Sequence, residues 1–413
     1  MLLSAGVTTG WHLAQVAQQQ FSGDICLHLC DTNPRELVPA AALGGPFHRV
    51  LPLADPGYQQ QILTLLKENH IDVIVPLIDQ DLFTWAADAP ELAALGVRST
   101  APLRQTAQLL TDKKAMAAFL QAHGLPTPPL VAPEQMEPGR AYIEKREVGC
   151  GSVGLRTVIG GEDYTPHPGS ILQEKCDGGD TEITAEVFNA QGKLRVFCRE
   201  RVVTKSGVCT KMRPLHIPEI EDYICTLTGL LPCPATFCAQ FMQHRGRWNL
   251  IDCNLRIGAG TAMASAAGFQ LVRAFWANLC GQPVPDEWLQ ADPTVKTVLR
   301  VYQEVVVRCR STVMWTARCW TAAPAMKSYC GTCWRSGTLP GPPPRPTICA
   351  ISPTATAPRR GWPWPGLHRK SAMKLPPPGA RALKNRSIWP WTGLTPIHWI
   401  SFAGCGRAGG AVC

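Results

Sequence analysis

Acidic residues disappear from the chain after Glu304, and this break limits how much of the sequence can form an ordinary folded domain. The 109 residues that follow contain no Asp or Glu but 15 Lys and Arg, whereas residues 1–304 hold 31 acidic and 25 basic side chains. Eight of the 13 Trp and 15 of the 37 Pro also follow residue 308, where no helical or strand period persists. We therefore expect folded structure within residues 1–308, and a basic tail over 309–413 that is disordered or out of frame.

Three interpretations of this tail differ in kind. A basic, Trp-containing segment could bind nucleic acid through phosphate neutralisation and base stacking, or the tail could be a flexible linker. The loss of every acidic residue, together with enrichment in Arg, Pro, Trp, Gly and Cys, instead favours translation of a GC-rich gene in the wrong frame. Nucleic acid is then not expected as a partner. The single CxxC at Cys330–Cys333 has no second pair, so a zinc site is not expected either.

The 18 cysteines favour a reducing compartment. Those before residue 308 lie in apolar runs without paired spacing, as Cys26, Cys198 and Cys253 do, which is typical of buried thiols. The first residues carry no basic segment, and no apolar run reaches ~18 residues, so neither export nor a membrane span is expected. We expect a cytoplasmic protein.

Residues 1–100 alternate between strand and helix patterns. The strand candidates are "LLSAG", "ICLHLCDTNP" and "IDVIVPLID", and the last of these is almost continuously apolar, as strands buried on both faces of a parallel sheet are. Helical spacing follows in "VTTGWHLAQVAQQQF" and "YQQQILTLLKENH". The pattern predicts a doubly wound, Rossmann-like α/β domain over residues 1–100.

Residues 101–308 have a different pattern, typical of an α+β domain. "TDKKAMAAFLQAHGLPTP" predicts a helix that begins near Thr111 or Asp112 and ends before Gly124 and Pro126. Short strands separated by turns follow as far as "RWNLIDCNLR".

The stretch "LIDCNLRIGAG" places Asp252, Asn254 and Arg256 at alternate positions before a glycine-rich turn. Side chains of a strand alternate between its two faces, so these three groups would share one face while Ile251, Cys253 and Leu255 occupy the other. A carboxylate and an amide provide oxygen ligands for Mg²⁺, and a guanidinium binds phosphate oxygens. An exposed face with three solvated groups is the alternative, and the apolar residues and the glycine turn disfavour it.

Other segments are ambiguous by themselves. "KREVGCGSVG" has glycines near Lys145 that could approach phosphate closely, but a plain hairpin loop explains them equally well. Glu174 and Glu182 are compatible with surface carboxylates at a turn. Arg201, Lys205 and Lys211 are compatible with a solvated basic edge or with a lining for anions.

Taken in order, seven segments resemble the ATP-grasp superfamily, specifically the carbamoyl-phosphate-synthase-like carboxylate–amine ligases. They are "SAG", "PLIDQDL", "TDKKAMAAFLQAHGLPTP", "EKREVGCGSVG", "LQEKCDGGDTEITAEVF", "RERVVTKSG" and "LIDCNLRIGAG", and they span residues 1 to about 307. The resemblance implies a pre-ATP-grasp domain over 1–100 and an ATP-grasp domain over 101–308 with a lid at about 126–190.

The resemblance also implies an ATP site with Mg²⁺, or Mn²⁺ in its place. Lys113 and Lys145 resemble the lysines that hold the phosphates. Arg256 resembles the cation that stabilises the transferred phosphoryl group, and Lys205 joins it in the implied catalytic set. The other implied nucleotide-binding residues are Gly149, Gly151, Ser152 and Gly154 of the mobile loop, Glu174, Lys175 and Cys176 beside adenine, and Glu182 near the ribose. The implied metal ligands are Gln240, Asp252 and Asn254.

The expected activity is therefore an ATP-dependent ligase that activates a small-molecule carboxylate, or bicarbonate, as an acyl phosphate for attack by an amine. A homo-oligomer is compatible with this activity. The chain departs from the family pattern at Asp252, Leu255, Arg146 and Cys150, where the family has Glu, Pro, Pro and Ser. These departures leave open a catalytically degenerate ATP-binding protein. A dinucleotide-dependent oxidoreductase is a third class, suggested by "SAGVTTG" and Asp31, although Gly6 and Gly10 lack the GxGxxG spacing.

Overall fold

The first hundred residues form the parallel α/β arrangement that their alternating pattern predicts. The computed structural model describes residues 1–149, 154–205 and 207–307. The helices and strands of this first region are α1 (Thr8–Gln20), β1 (Leu29–Asp31), β2 (Phe47–Arg49), α2 (Tyr58–Glu68), β3 (Val73–Ile74), α3 (Asp79–Thr84), α4 (Pro90–Leu95) and β4 (Arg98–Ser99). Short 3-10 helices at Arg35–Leu37 and Pro39–Leu43 precede β2.

The N-terminal segment lies in the middle of this parallel arrangement. Leu2 makes parallel bridges both to Leu29 and to Val75, while β1 pairs with β2 and β3 with β4, also in parallel. Leu2, Leu29 and Ile74 are fully buried, as expected for strands covered on both faces. The predicted α/β fold of the N-terminal region is confirmed.

The remaining described residues form an α+β region. Its elements are α5 (Arg104–Thr111), α6 (Lys113–Ala122), β5 (Ala141–Arg146), β6 (Arg156–Ile159), β7 (Ser170–Glu174), β8 (Glu182–Ala190), β9 (Lys193–Lys205), β10 (Val208–Leu215), α7 (Pro218–Leu230), β11 (Thr236–His244), β12 (Arg247–Asn254), α8 (Thr261–Ala266), α9 (Leu271–Leu279) and β13 (Val298–Leu299). Short 3-10 helices lie at Pro133–Gln135 and Asp286–Leu289.

Helix α6 begins where its capping residue predicts. The Asp112 carboxylate accepts hydrogen bonds from the backbone N–H groups of Lys114 and Ala115, each at 2.9 Å. Gly124, with φ +70°, follows the last turn and takes the left-handed conformation that glycine tolerates best. The cap places Lys113 in the first turn of the helix, where its side chain reaches the functional site described below.

Two antiparallel sheets follow α6. The smaller one has the order β6-β5-β7, lies within the predicted lid, and has its own small core of Tyr142, Val158 and Leu172. The larger one has the order β12-β11-β8-β9-β10-β13.

One face of the six-stranded sheet is apolar, whereas the other is polar around Thr184 and apolar at Phe188 and Phe197, which belong to a second core. On one face Ile183, Ala185 and Phe241 pack with Ile220 and Ile224 of α7 in a buried core. Side chains of opposite parity, including Glu182, Thr184 and Gln240, lie on the other face, because strand side chains alternate with period two. This polar face carries the candidate site.

Among the described residues, none of the helices combines the length and the apolar composition that crossing a bilayer requires.

Candidate functional site

A cavity of about 410 Å³ contains most of the residues that the family resemblance implied. It is lined from both sheets and from the start of α6. The implied residues in its wall are Lys113, Lys145, Gly149, Glu174, Lys175, Cys176, Glu182, Gln240 and Asp252. Residues up to 139 positions apart in the sequence, such as Lys113 and Asp252, therefore converge on one space.

Two lysine ammonium groups lie at the Asp252 end of the cavity. Lys113 Nζ donates to the Gly149 carbonyl at 2.9 Å and lies 3.5 Å from Asp252 Oδ1. Lys145 Nζ donates to the Ile251 carbonyl at 2.9 Å. Burial lowers the pKa of Lys145 to about 8; the nearby carboxylate of Asp252 opposes this shift and the charge of Lys113 adds to it. Two cations facing one carboxylate favour the binding of an anion such as a phosphate chain.

The Glu174 carboxylate is contacted by two arginines and a histidine. Arg140 Nη2 lies 2.7 Å from it, Arg245 Nη2 donates to both of its oxygens at 2.9 and 2.7 Å, and His244 Nε2 lies at 2.9 Å. These contacts hold the end of β7 against β11 and its hairpin. The side chain of Glu174 therefore has a clear role in positioning the strand, and adenine contact through Lys175 and Cys176 stays a prediction.

Glu182 begins β8 on the polar face. Its carboxylate lies 3.0 Å from Arg201 Nη1, and burial raises its pKa while Arg201 opposes the shift. An acidic side chain held in this way at the cavity wall can accept hydrogen bonds from ribose hydroxyls.

Oxygen-bearing side chains of β11 and β12 form the candidate metal site. Gln240 pairs directly with Asp252 across the two strands, and Asn254 Nδ2 lies 3.5 Å from Asp252 Oδ2. Asp252 and Asn254 also line an adjoining cleft of about 180 Å³ with Lys113, Gly149 and Asp79. Within the described ranges, no cluster of three His, Cys, Asp or Glu side chains could hold a metal alone. One carboxylate with two amides fits Mg²⁺ only if phosphate oxygens or water complete its shell.

The strict alternation predicted for Leu250–Arg256 is wrong at two points. A register shift between Gln240 and Phe241 opposite β12 leaves Ile251 without a regular partner, so Ile251 lines the same cavity as Asp252. Such a bulge redirects side chains locally. The strand also ends at Asn254, so Arg256 lies beyond it.

Arg256 makes a bidentate ion pair with Asp79. Its Nε and Nη2 donate to the two Asp79 oxygens at 2.8 and 3.0 Å, and Nη2 also lies 3.4 Å from Asn254 Oδ1. Asp79 belongs to the segment "PLIDQDL", but the sequence alone suggested no role for it. Its position at the start of α3, a few residues after β3, was the available signal.

The structure does not bring Lys205 into this cavity. Lys205 is the last residue of β9, is exposed, and has its Nζ 6.0 Å from the centroid of the Tyr302 ring. A catalytic role for Lys205 would require the end of the hairpin to move. Gly154 is exposed and outside the cavity wall, whereas Gly151 and Ser152 lie outside the described residues, as does the predicted tail.

Apolar wall residues could not be identified from the sequence. Ile143, Leu155, Met242 and Ile251 line the cavity together with the aliphatic parts of the polar residues. They supply apolar surface against which a planar base could pack. The sequence shows apolar residues alternating with polar ones on β5 and β11. Single apolar side chains on strands are, however, far more common in cores than in ligand sites, so this pattern did not identify them.

Comparisons with known proteins concern the fold of the chain. Residues 1–100 match the family model described as PylC-like, N-terminal domain. No curated protein matches the sequence.

Solved structures with this fold include several nucleotide complexes. N5-carboxyaminoimidazole synthetase from Staphylococcus aureus, complexed with ADP, has 15% identity and a TM-score of 0.54 over 69% of this chain and 77% of that one. Biotin carboxylase from Campylobacter jejuni, in a β-γ-ATP complex, has 11% identity and a TM-score of 0.55 over 69% and 72%. Pyruvate carboxylase from Rhizobium etli has 15% identity and a TM-score of 0.57 over 70% of this chain, which spans only 30% of that larger protein.

Sequence identities this low show a shared fold but do not show a shared activity. The described residues therefore have the ATP-grasp fold, and residues 1–100 match the PylC-like, N-terminal domain model.

Proposed function

We propose that this protein is an ATP- and Mg²⁺-dependent ligase that activates a carboxylate as an acyl phosphate for attack by an amine. The observation that supports the proposal most directly is the convergence of Lys113, Lys145 and Asp252 on one cavity of about 410 Å³. ADP and ATP complexes of proteins with the same fold support it further.

The wall chemistry matches the parts of a nucleotide. Lys113 and Lys145 bind phosphate oxygens, Glu182 accepts hydrogen bonds from ribose hydroxyls, and Ile143 and Met242 pack against the base. Gln240, Asp252 and Asn254 would hold the metal, which would neutralise charge on the phosphate chain.

The reaction needs no protein nucleophile. An oxygen of the substrate carboxylate attacks the γ-phosphorus of ATP, the bond to the bridging oxygen breaks, and ADP leaves with that electron pair. The amine then attacks the acyl carbon, phosphate leaves, and the nitrogen loses a proton to solvent. Arg256 stabilises the phosphoryl charge as it moves, provided that Asp79 keeps the guanidinium in place.

A nucleotide-binding protein without turnover is the second candidate. It is favoured by Asp252, whose side chain is one methylene shorter than the family's Glu and lies 3.5 Å from Lys113 Nζ. A dinucleotide-dependent oxidoreductase is disfavoured, because the Gly6 N–H donates to Asp31 Oδ2 at 2.6 Å. Asp31, the acidic residue that would bind a ribose in such an enzyme, is thus already bonded to the backbone of the glycine loop.

Product release separates the two remaining candidates. The protein is incubated with Mg·ATP and with pools of carboxylates and amines, and ADP and phosphate are measured by coupled assay. A ligase releases both in proportion, and only when the pools contain its substrates. Binding of ADP by calorimetry without release from any pool would support the second candidate, and failure to bind ADP would refute both.

A further inference from the structure

The two edges of the six-stranded sheet differ in what covers them. At one edge β12 is capped by residues 126–127, because the Leu250 N–H donates to the Pro126 carbonyl and Thr127 Oγ1 donates to the Leu250 carbonyl, each at 3.1 Å. At the other edge β13 pairs with β10 alone among the described residues. An open edge strand presents unpaired backbone groups to which another strand can bond.

The open edge of β13 has backbone donors and acceptors at defined positions. The Arg300 N–H donates to the Thr210 carbonyl at 2.8 Å, so the pairing with β10 extends one residue beyond β13. Backbone hydrogen-bonding groups of successive residues point to opposite sides of a strand. The N–H and C=O groups of Leu299 and Val301 therefore point away from β10, toward the open side.

This edge also exposes apolar side chains. Of the 14 large apolar side chains that are exposed among the described residues, five lie within residues 299–307. Leu299 is 60% exposed and Val301 81% exposed. Leu299 continues a row across the sheet, in which Val203 pairs with Lys211 and Lys211 pairs with Leu299. Clustered exposed apolar side chains of this kind are typical of an interaction surface.

Two opposite charges flank the apolar edge. Lys296 and Glu304 are both exposed, and within the part of the chain that the structure describes neither forms an ion pair. They lie at equal distances along the sequence, one before and one after Arg300. This symmetry makes the segment complementary to a second copy of itself that runs in the opposite direction.

One antiparallel register satisfies all of these groups together. With a two-fold axis at Arg300, Leu299 lies opposite Val301 of the second copy, and Lys296 lies opposite Glu304 of the second copy. Leu299 and Val301 then exchange both backbone hydrogen bonds, and their side chains meet on one face. An axis at Leu299 or at Val301 would remove the pairing of Lys296 with Glu304.

We propose that β13 and the residues after it form a homodimer interface, in which a second copy of this chain adds an antiparallel strand about a two-fold axis at Arg300. The chain beyond Val307 cannot replace the second copy as the partner of Lys296, because its last acidic residue is Glu304. A two-fold contact uses the open edge of both copies, so assembly stops at the dimer. The proposal uses no residue of the nucleotide cavity and is independent of the proposed function.

Charge reversal tests the register of this interface. The variants are Lys296→Glu, Glu304→Lys and the double variant that carries both substitutions. Lys67→Glu and Glu162→Lys are the controls, because they reverse exposed charges in other parts of the chain. The full chain is studied by sedimentation velocity from low to high micromolar concentrations, and melting temperatures check that each variant is folded.

We expect the wild type and both controls to show a concentration-dependent equilibrium between monomer and dimer. Each single reversal places two like-charged pairs in the interface and should raise the Kd of the dimer about tenfold or more. The double variant should return to the Kd of the wild type. A wild type that stays monomeric or assembles beyond the dimer, or a double variant as weak as the single ones, would overturn the proposal.

Hydrogen exchange of the wild type provides a second test, at the level of single amides. The amides of Leu299 and Val301 should exchange more slowly as the concentration rises, whereas that of Arg300, already bonded to Thr210, should not change. A dimer that leaves the amides of Leu299 and Val301 unprotected would assign the interface to another surface.

Discussion

Asp79 and Arg256 are 177 residues apart in the sequence and form a two-point ion pair at the edge of the candidate site, with Asp79 Oδ1 2.8 Å from Arg256 Nε and Oδ2 3.0 Å from Nη2. Each side chain is only 18% exposed. The pair links the PylC-like N-terminal domain to the end of β12, so the position of the proposed catalytic cation depends on a residue outside the two antiparallel sheets that line the main cavity.

Asp79→Asn should therefore impair turnover more than nucleotide binding. The amide can accept from only one guanidinium nitrogen and carries no charge, so Arg256 loses its fixed orientation. We expect a 10- to 100-fold lower kcat once the substrates are known, about 1–3 kcal/mol less stability in urea, and an unchanged Kd for ADP. Asp163→Asn, at an exposed carboxylate, is the control. An equal loss of ADP affinity would show that Asp79 shapes the nucleotide site itself.

Lys145→Met should weaken ADP binding. The substitution keeps much of the apolar stem and removes a buried ammonium that faces the cavity, and a hydrogen bond to a charged group contributes about 1.5–3 kcal/mol. We expect a 10- to 100-fold higher Kd by calorimetry. Lys114→Met removes an exposed lysine next to Lys113 and should leave the Kd unchanged. Equal effects of the two substitutions would point to long-range charge alone.

The affinity for ADP should fall as pH rises through about 8, the pKa to which burial lowers Lys145. The ammonium binds phosphate and the neutral amine does not, so we expect about a tenfold loss between pH 7 and pH 9. Lys145→Met should remove the part of this dependence that belongs to Lys145.

The same pKa shift makes the stability of the protein rise with pH, whereas it makes the affinity for ADP fall. The unfolded lysine keeps its proton up to its ordinary pKa of 10.5, whereas the folded one releases it near 8. The unfolded state therefore holds more protons between these values, so the destabilisation caused by burying this ammonium fades as pH rises across that window. Urea midpoints of the wild type and Lys145→Met at pH 7 and 9.5 measure the contribution. A wild type that loses stability relative to Lys145→Met between these two pH values would contradict it.

Asp252→Asn should abolish the part of ADP binding that depends on Mg²⁺. The wild type is expected to bind ADP more tightly with Mg²⁺ than with EDTA, because Asp252 is the one carboxylate in the proposed metal set. In Asp252→Asn the two affinities should converge. Asp252→Glu should keep the difference between the ADP affinities measured with Mg²⁺ and with EDTA. Because the Glu side chain is one methylene longer, this substitution should also increase turnover if the shorter Asp side chain limits turnover. A Mg²⁺ effect that persists in Asp252→Asn would assign the metal to other ligands.

Several features of this protein follow from local sequence alone. The apolar strands of the first hundred residues, the Asp112 cap of α6 and the alternation on β8 and β11 all depend on short-range periods and on hydrogen bonds within a few residues. The family resemblance adds Lys113, Lys145, Glu182, Gln240 and Asp252, which the structure gathers at one cavity. Their roles there stay predictions.

Other features depend on how distant segments meet. The Ile251 bulge arises from the register between β11 and β12, and the cation cluster around Glu174 draws on residues from Arg140 to Arg245. The Asp79–Arg256 pair likewise depends on how the start of α3 packs against the segment that follows β12. Periodicity specifies the face on which a side chain lies, but its partner is set by strand order, register and domain packing, and these are properties of the whole chain.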